Sequence, residues 1–206
     1  TTEPIPGNNV YLTIDLALQE AAETALETGI DTIRMKLGVQ KQEEIADGTY
    51  KPKNDEITGG AVAVVDVRTG EPLALATYPS YNAADLLEKY NEILKAPNNP
   101  LYNRATQGTY APGSTFKPCT AIMGLTEGVI GINTSINCTG QYTKYADQGY
   151  APYCWVHDQL PQGHGMRAVV EALRDSCNIF FFQVGHDAGI AKMDKYAKLF
   201  GLGERT

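Results

Sequence analysis

The chain has 206 residues, of which 43% are hydrophobic and 20% charged, and a formal net charge of −7. This is ordinary globular material with enough apolar content for a real core, and the acidic balance without a basic stripe excludes a surface built to track nucleic-acid phosphates. No run of about 18 apolar residues, secretory leader or lipidation motif occurs, so the sequence predicts no membrane span.

Residues 1–9 contain Pro and Gly and read as a linker. Asp15 is a plausible N-cap, and Leu18, Ala22, Ala25, Leu26, Ile33 and Leu37 recur at helical spacing, which predicts an amphipathic helix over 16–37. Residues 41–58 are polar and read as a loop. Ala61 to Val67 is a β-branched, apolar run that predicts a buried strand; Arg68-Thr69-Gly70 turns it into a second strand over 72–77, making a hairpin. Asn82 caps a predicted surface helix over 83–95, which the Pro97-Asn98-Asn99-Pro100 breaker ends. Two more helices follow, over 178–186 and 190–200, the last stopped by Gly201. No internal repeat interrupts this mixed α and β pattern.

The most informative stretch is Pro112-Gly113-Ser114-Thr115-Phe116-Lys117-Pro118. Gly113 allows a tight approach, Pro112 discourages helix before it, and Pro118 is tolerated only in a first helical turn, so a helix begins at or beside Ser114. Residues three apart share a helix face, which brings Lys117 to Ser114. The following Cys119, Ala121, Ile122, Met123 and Leu125 predict a mostly buried helix whose dry surroundings lower the lysine pKa, and a neutral lysine can take a serine proton. Ser-x-x-Lys alone is common by chance. It gains weight from Ser176-Cys177-Asn178, 62 residues downstream, between the amphipathic run 166–173 and the apolar run 179–184. Order, separation and the Pro-Gly lead-in together match two of the three motifs of penicillin-binding proteins and class A β-lactamases.

With these residues the chain resembles the transpeptidase domain of class B penicillin-binding proteins, from about Val10 to Gly203. Tyr11-Leu12-Thr13-Ile14-Asp15 with Leu18-Gln19 is similar to the segment that opens such domains; Gly59 to Asp66, Thr69-Gly70-Glu71 and Leu73 to Ala76 are similar to their first hairpin; Asn103-Arg104-Ala105 also matches. Gly163-His164-Gly165 and the surrounding cysteines look most like the elongation-type penicillin-binding protein 2 group. The resemblance implies an α+β fold of the penicillin-binding protein and serine β-lactamase type, here incomplete: a hairpin plus a helical subdomain. Residues 10–206 would be the N-terminal part of the domain, because no Lys-Thr-Gly, Lys-Ser-Gly or His-Thr-Gly element occurs. The isolated residues are expected to turn over D-alanyl-D-alanine peptides poorly or not at all.

The mechanism implied by the resemblance is acyl transfer on peptidoglycan stem peptides. Ser114 is the nucleophile and Lys117 its base; Ser176 relays a proton, and Asn178 holds the substrate amide and helps position Lys117. The Ser114 amide gives half of an oxyanion hole. β-Lactams would be covalent inhibitors at the same serine. The parent would be held by an N-terminal anchor on the extracytoplasmic side of a bacterial cell membrane, beside proteins of the cell-elongation complex. Two other functions share the motifs or the fold: a serine β-lactamase or β-lactam sensor, although no Glu-x-x-x-Asn segment lies between Asn178 and Thr206, and a catalytically silent interaction domain.

Cys138, Cys154, His164 and Cys177 offer three sulfurs and one nitrogen, a set that suits structural zinc. Their spacings are long, but they match the zinc site that penicillin-binding protein 2 relatives carry around Gly-His-Gly. A Cys138–Cys154 disulfide and inert buried thiols are the alternatives, with His157 and Asp158 as substitute ligands and Cys119 facing the core. Tyr142, Tyr145, Tyr150, Tyr153 and Trp155 read first as packing around Cys138 and Cys154, and otherwise as sugar or peptide contacts. Arg104 is expected to pair with a buried carboxylate, and His186 to cap a helix or face solvent.

Overall fold

The computed structural model describes residues 7–50 and 56–203 and divides into two units, residues 1–110 and 111–206. The linker over 1–9 falls mostly outside the described residues, as do residues 51–55 of the predicted loop.

In the first unit, the Asp15 carboxylate accepts the Leu18 amide (2.9 Å) and starts helix α1, Leu16–Ala46. Strands β1 (Gly60–Val65) and β2 (Pro72–Tyr78) pair antiparallel, with Val62 opposite Ala76 and Ala63 opposite Leu75. Ala22 of α1 packs on Ala74 and Ala76, framed by Leu18, Leu26, Val62 and Val64. Gln19 fastens helix to sheet: its Oε1 accepts the Leu75 amide (2.7 Å) and its Nε2 donates to the Leu75 carbonyl (3.1 Å).

Three predicted elements differ here. Helix α1 runs past residue 37 to Ala46 because its last turns are good helix formers that need no buried face, with a Gln40–Glu44 hydrogen bond across one turn (2.9 Å). The strand expected through Val67 stops at Val65: Asp66 opens the turn, and Val67 is 96% exposed. The helix expected over 83–95 splits into a 3-10 turn at Ala83–Asp85, capped by Asn82, and a short α2, Tyr90–Lys95. Leu87 between them is 94% exposed, and without an apolar face to bury, so short a helix is marginal. Asn103 then caps α3, Arg104–Gln107. Arg104 donates to the carbonyls of Asn98, Asn99 and Tyr102, so it organises a loop, and among the described residues it pairs with no buried carboxylate.

The second unit holds α4 (Lys117–Thr126), β3 (Ile136–Cys138), β4 (Gly165–Arg167), α5 (Val169–Arg174), α6 (Asn178–Ala188) and α7 (Ile190–Leu199). Its core joins Cys119, Ala121 and Met123 of α4 to Val169 and Ala172 of α5 and Ile179, Phe180, Phe181 and Val184 of α6. Ile122 and Leu125, expected inside, are 43% and 37% exposed because they lie on the other face of α4. The amphipathic run 166–173 divides between β4 and α5. Gly124 lets α4 and α6 approach closely: a Cβ there would lie 2.8 Å from Val184 Cγ1.

Phe180 is fully buried where α6 meets this core. Phe180→Ala should destabilise the fold by about 3–5 kcal/mol, a cavity cost that Leu199→Ala on the 70% exposed end of α7 should not reproduce; thermal melts of the two variants check this.

Candidate active site

The local sequence explains how Ser114 is presented. Gly113 takes a φ of 58°, a left-handed conformation that glycine tolerates, and the chain closes a 3-10 turn over Gly113–Phe116 before α4 begins at Lys117. Pro118 falls in the first turn of α4, where its missing N–H is not needed. Ser114 is exposed, and its amide belongs to the first-turn N–H groups that have no partner within the turn.

The second motif forms where α5 ends. The Ser176 amide donates to the Leu173 carbonyl (3.2 Å) and the Cys177 amide to Ala172 (2.9 Å), while Ser176 itself adopts a φ of 48°. This reversal aims the Ser176 side chain at the first motif and lets α6 start at Asn178.

Lys117 joins the two. Its Nζ donates to the Ser176 carbonyl (2.6 Å), the Ser176 hydroxyl (2.9 Å) and Asn178 Oδ1 (2.7 Å). The Ser176 hydroxyl donates to Ser114 Oγ (3.1 Å). The sequence predicts a direct Ser114–Lys117 pair; among the described hydrogen bonds Ser176 stands between them. The physical reason is that Ser114 sits in the tighter 3-10 turn, while two carbonyl-type oxygens of the second motif hold the lysine head. Burial pushes the Lys117 ammonium below its ordinary range, with Cys154 and Cys177 pulling the other way. The Phe181 ring, 5.8 Å from Nζ, forms part of that dry wall. Asn178 is oriented from its other end, where Nδ2 donates to the Tyr153 carbonyl (3.3 Å).

Behind the second motif lies the thiol cluster. Pairing of β3 with β4 sets Cys138 opposite Gly165 and so beside His164. Gly163 has a φ of 74°, and a Cβ there would overlap the Cys138 carbonyl, so the Gly-His-Gly turn needs its first glycine. The donor atoms of Cys138, Cys154, His164 and Cys177 all lie within 4.8 Å of one another. His164 Nδ1 is 3.6 Å from Cys138 Sγ and 3.5 Å from Cys154 Sγ. An S–N edge of a tetrahedron with zinc bond lengths is about 3.5 Å, close to the separations of His164 Nδ1 from the Cys138 and Cys154 sulfurs, so the donor set suits a zinc ion in type and spacing. The three sulfurs are unbridged and at most 1% exposed.

The donors differ electrostatically. Burial pushes the Cys177 thiol up to about 12 against the Phe180 amide, with Cys138 raising it further. Burial also raises Cys154, but the amides of Asn178 and Ile179 at the start of α6, with that of Val156 two residues along the loop, outweigh it and hold the thiol below its usual range. His164 is lowered chiefly by burial, with Arg167 and Lys117 adding and Asp175 opposing, which keeps the ring available as a neutral donor.

His157 is not one of the four clustered donors: its ring stacks on Tyr153 (4.3 Å between centroids) and its Nδ1 is buried without a hydrogen bond. Asp158 does not join them either, and Cys119 lies in the core. The tyrosine-rich loop divides. Tyr142, Tyr145 and Tyr150 line a cavity of about 250 Å³ with Phe181, Phe182 and His186, and the Tyr145 hydroxyl contacts His186 Nδ1, a partner that sequence did not suggest. Tyr153 and Trp155 flank buried Cys154 and are 52% and 54% exposed. Phe181 beside Lys117 was legible in principle, since it lies one helical turn from Asn178; the Tyr153 carbonyl carried no sequence signal.

Residues 60–206 match the family model of the penicillin binding protein transpeptidase domain. The peptidoglycan D,D-transpeptidase MrdA of Escherichia coli K12 is 34% identical over 209 residues, which cover 98% of this chain and 28% of that relative. Among solved structures, Pseudomonas aeruginosa PBP2 in complex with WCK 5153 matches with a TM-score of 0.72 and 28% identity, over 97% of this chain and 39% of that one. A complex between PBP2 and MreC from Helicobacter pylori matches with a TM-score of 0.61 and 29% identity, over 70% of this chain and 27% of that one. The chain thus spans little more than a quarter of the MrdA length, and its fold is the α+β fold of these transpeptidase domains in part. With a family match over residues 60–206, and with Ser-x-x-Lys and Ser-x-Asn brought into one hydrogen-bonded site, this chain belongs to the penicillin-binding protein transpeptidase family.

Proposed function

We propose that this chain carries the acylation machinery of a peptidoglycan D,D-transpeptidase, with Ser114 as nucleophile, Lys117 as general base, Ser176 as proton relay and Asn178 as the group that orients Lys117 and the substrate amide. The observation that carries the reading is the unbroken hydrogen-bonded path from Ser114 through Ser176 to Lys117. A neutral amine has two N–H donors and one lone pair. The Ser176 carbonyl and Asn178 Oδ1 take the two donors, so with Lys117 neutral both bonds of the path reverse: the Ser176 hydroxyl turns to donate to the lone pair and accepts the Ser114 hydroxyl in its place.

Ser114 Oγ then bonds to the carbonyl carbon between the terminal D-alanines of a stem peptide. Its proton moves to Ser176 Oγ as the Ser176 proton moves to Lys117 Nζ. The C–N bond breaks, the relay returns a proton to the leaving D-alanine nitrogen, and the amine of a second stem peptide displaces Ser114 from the acyl group. The Ser114 amide gives half of the oxyanion hole; the other half is assigned to a Lys-Thr-Gly-type strand outside these 206 residues. A β-lactam opens on the same serine, but its nitrogen stays tethered to the acyl group and blocks the second amine. The parent protein is assigned to the extracytoplasmic face of a bacterial membrane, held by an N-terminal anchor; among the described residues no helix is long and apolar enough to cross a membrane. By similarity to the PBP2–MreC complex, a cell-elongation protein of the MreC kind is its proposed partner.

Cys138, Cys154, His164 and Cys177 are proposed to hold a structural zinc, supported by the fit of their donor set. Bound there, the metal would supply rigidity and folding free energy rather than chemistry on the substrate. It would fix Cys177, which lies between the relay Ser176 and Asn178.

Three outcomes test these assignments in the full-length protein containing these residues. Intact mass after exposure to a β-lactam should show one adduct mapping to Ser114 and absent from Ser114→Ala; a folded wild type that neither forms an adduct nor hydrolyses the drug defeats the transpeptidase reading. Lys117→Arg keeps the charge but cannot act as a base, so acylation measured by rapid mixing should fall by about 10²–10⁴-fold. Purified under reducing conditions, the protein should contain about one zinc per chain, lost together with several degrees of melting temperature in Cys154→Ser. Zinc-free preparations with an unchanged melt would remove the metal.

A further inference from the structure

We propose that Asp175, fastened by Arg167 and Trp155, is a positioning residue that holds the Ser176 hydroxyl over Ser114 and ties it to the Cys/His cluster. The inference rests on the acyl-transfer reading of Ser114.

Asp175 immediately precedes Ser176, and both halves of the residue are held. Its carboxylate receives Arg167 Nε (2.8 Å) and Arg174 Nε and NH2 (2.7 and 3.1 Å). Its backbone carbonyl receives the Trp155 indole N–H (3.0 Å). Arg174 is an exposed sequence neighbour, so its pairing holds little in place; Arg167 belongs to another element, β4, and both it and Asp175 are largely shielded. The peptide link entering Ser176 is therefore held by its carbonyl from one segment and by its side chain from another.

Ser176 needs such restraint. A non-glycine residue at a φ of 48° leaves that conformation readily unless its surroundings fix it, and a small rotation would take the hydroxyl off Ser114 Oγ. Trp155 also makes little sense as packing: its one polar atom points inward to Asp175 while the ring stays 54% exposed. Both fasteners start from the thiol cluster. Trp155 follows Cys154, and its ring centroid lies 5.7 Å from that of His164; Arg167 lies three residues after His164 on the strand paired to Cys138. Order in the cluster can thus reach Ser176 by two routes besides Cys177.

The test uses the full-length protein and a chromogenic β-lactam, with rapid mixing to separate reversible binding from acylation. Asp175→Asn should lower the acylation rate constant about ten- to a hundredfold, the scale of a misplaced catalytic group, while reversible affinity stays within about twofold. Trp155→Phe, which removes the N–H but keeps a ring, should show the same split with a smaller loss. In protein labelled with 5-fluorotryptophan, the Trp155 resonance, identified by its loss in Trp155→Phe, should shift in Asp175→Asn and stay put in Glu127→Gln, which alters a surface pair with Lys192 and Lys195. Wild-type acylation rates in both strap variants overturn the proposal, as does a loss of binding, acylation and melting temperature in step. A wild type that fails to acylate at Ser114 would be recognised separately, because it removes the reading on which the strap depends.

Discussion

The head of Lys117 is the point on which the second unit turns. Three oxygens from residues about sixty positions further along the chain converge on one nitrogen, and those contacts convert two short motifs into a site. A partly buried amine is poorly solvated, which disfavours the ammonium form; the same oxygens hold it beside the Ser176 hydroxyl. The reach required is short and is set by packing. Gly124 allows α4 and α6 to come close, and Met123, Phe180 and Val184 fill the seam, so the core and the candidate site share one geometry.

The thiol cluster solves a related problem on the other side of the second motif. Cys177 is fully buried between two partly exposed residues, which fixes the backbone of a segment that has no regular structure of its own until α6 begins. Three nearby sulfurs in a dry pocket are poor neighbours when ionised and excellent ones around a cation. Cys154 and Cys177 differ because backbone amides reach the first sulfur, while burial dominates the second.

Much of this was legible in the sequence, for identifiable reasons. The Pro-Gly lead-in and Pro118 marked the start of the nucleophile helix because proline and glycine constrain backbone directly, and the hairpin and α6 followed from periodicity. The clustering of Cys138, Cys154, His164 and Cys177 was expected from resemblance and chemistry rather than spacing. What the sequence hid was mostly long-range or carried by backbone. The direct Ser114–Lys117 contact gave way to a relay, because helical spacing says nothing about acceptors sixty residues away. The Trp155 and Tyr153 contacts use a carbonyl on at least one side, and carbonyls are the same at every residue. The splitting of the 83–95 helix shows the converse: good helix formers and a cap, with no face to bury, give only a 3-10 turn and a short α2.

The first unit has a consequence for assembly. Gln19 occupies the outward N–H and C=O of Leu75 as a neighbouring strand would, so one border of the hairpin is already closed by a side chain. Among the described residues the sheet has two strands, and β1 has no strand on its other side. Growth of the sheet is therefore directional. A further strand meeting this hairpin would find the β2 border occupied, by Gln19 on Leu75 and by the Asp15 amide on the Leu73 carbonyl, and would find no strand in its way at β1 among the described residues.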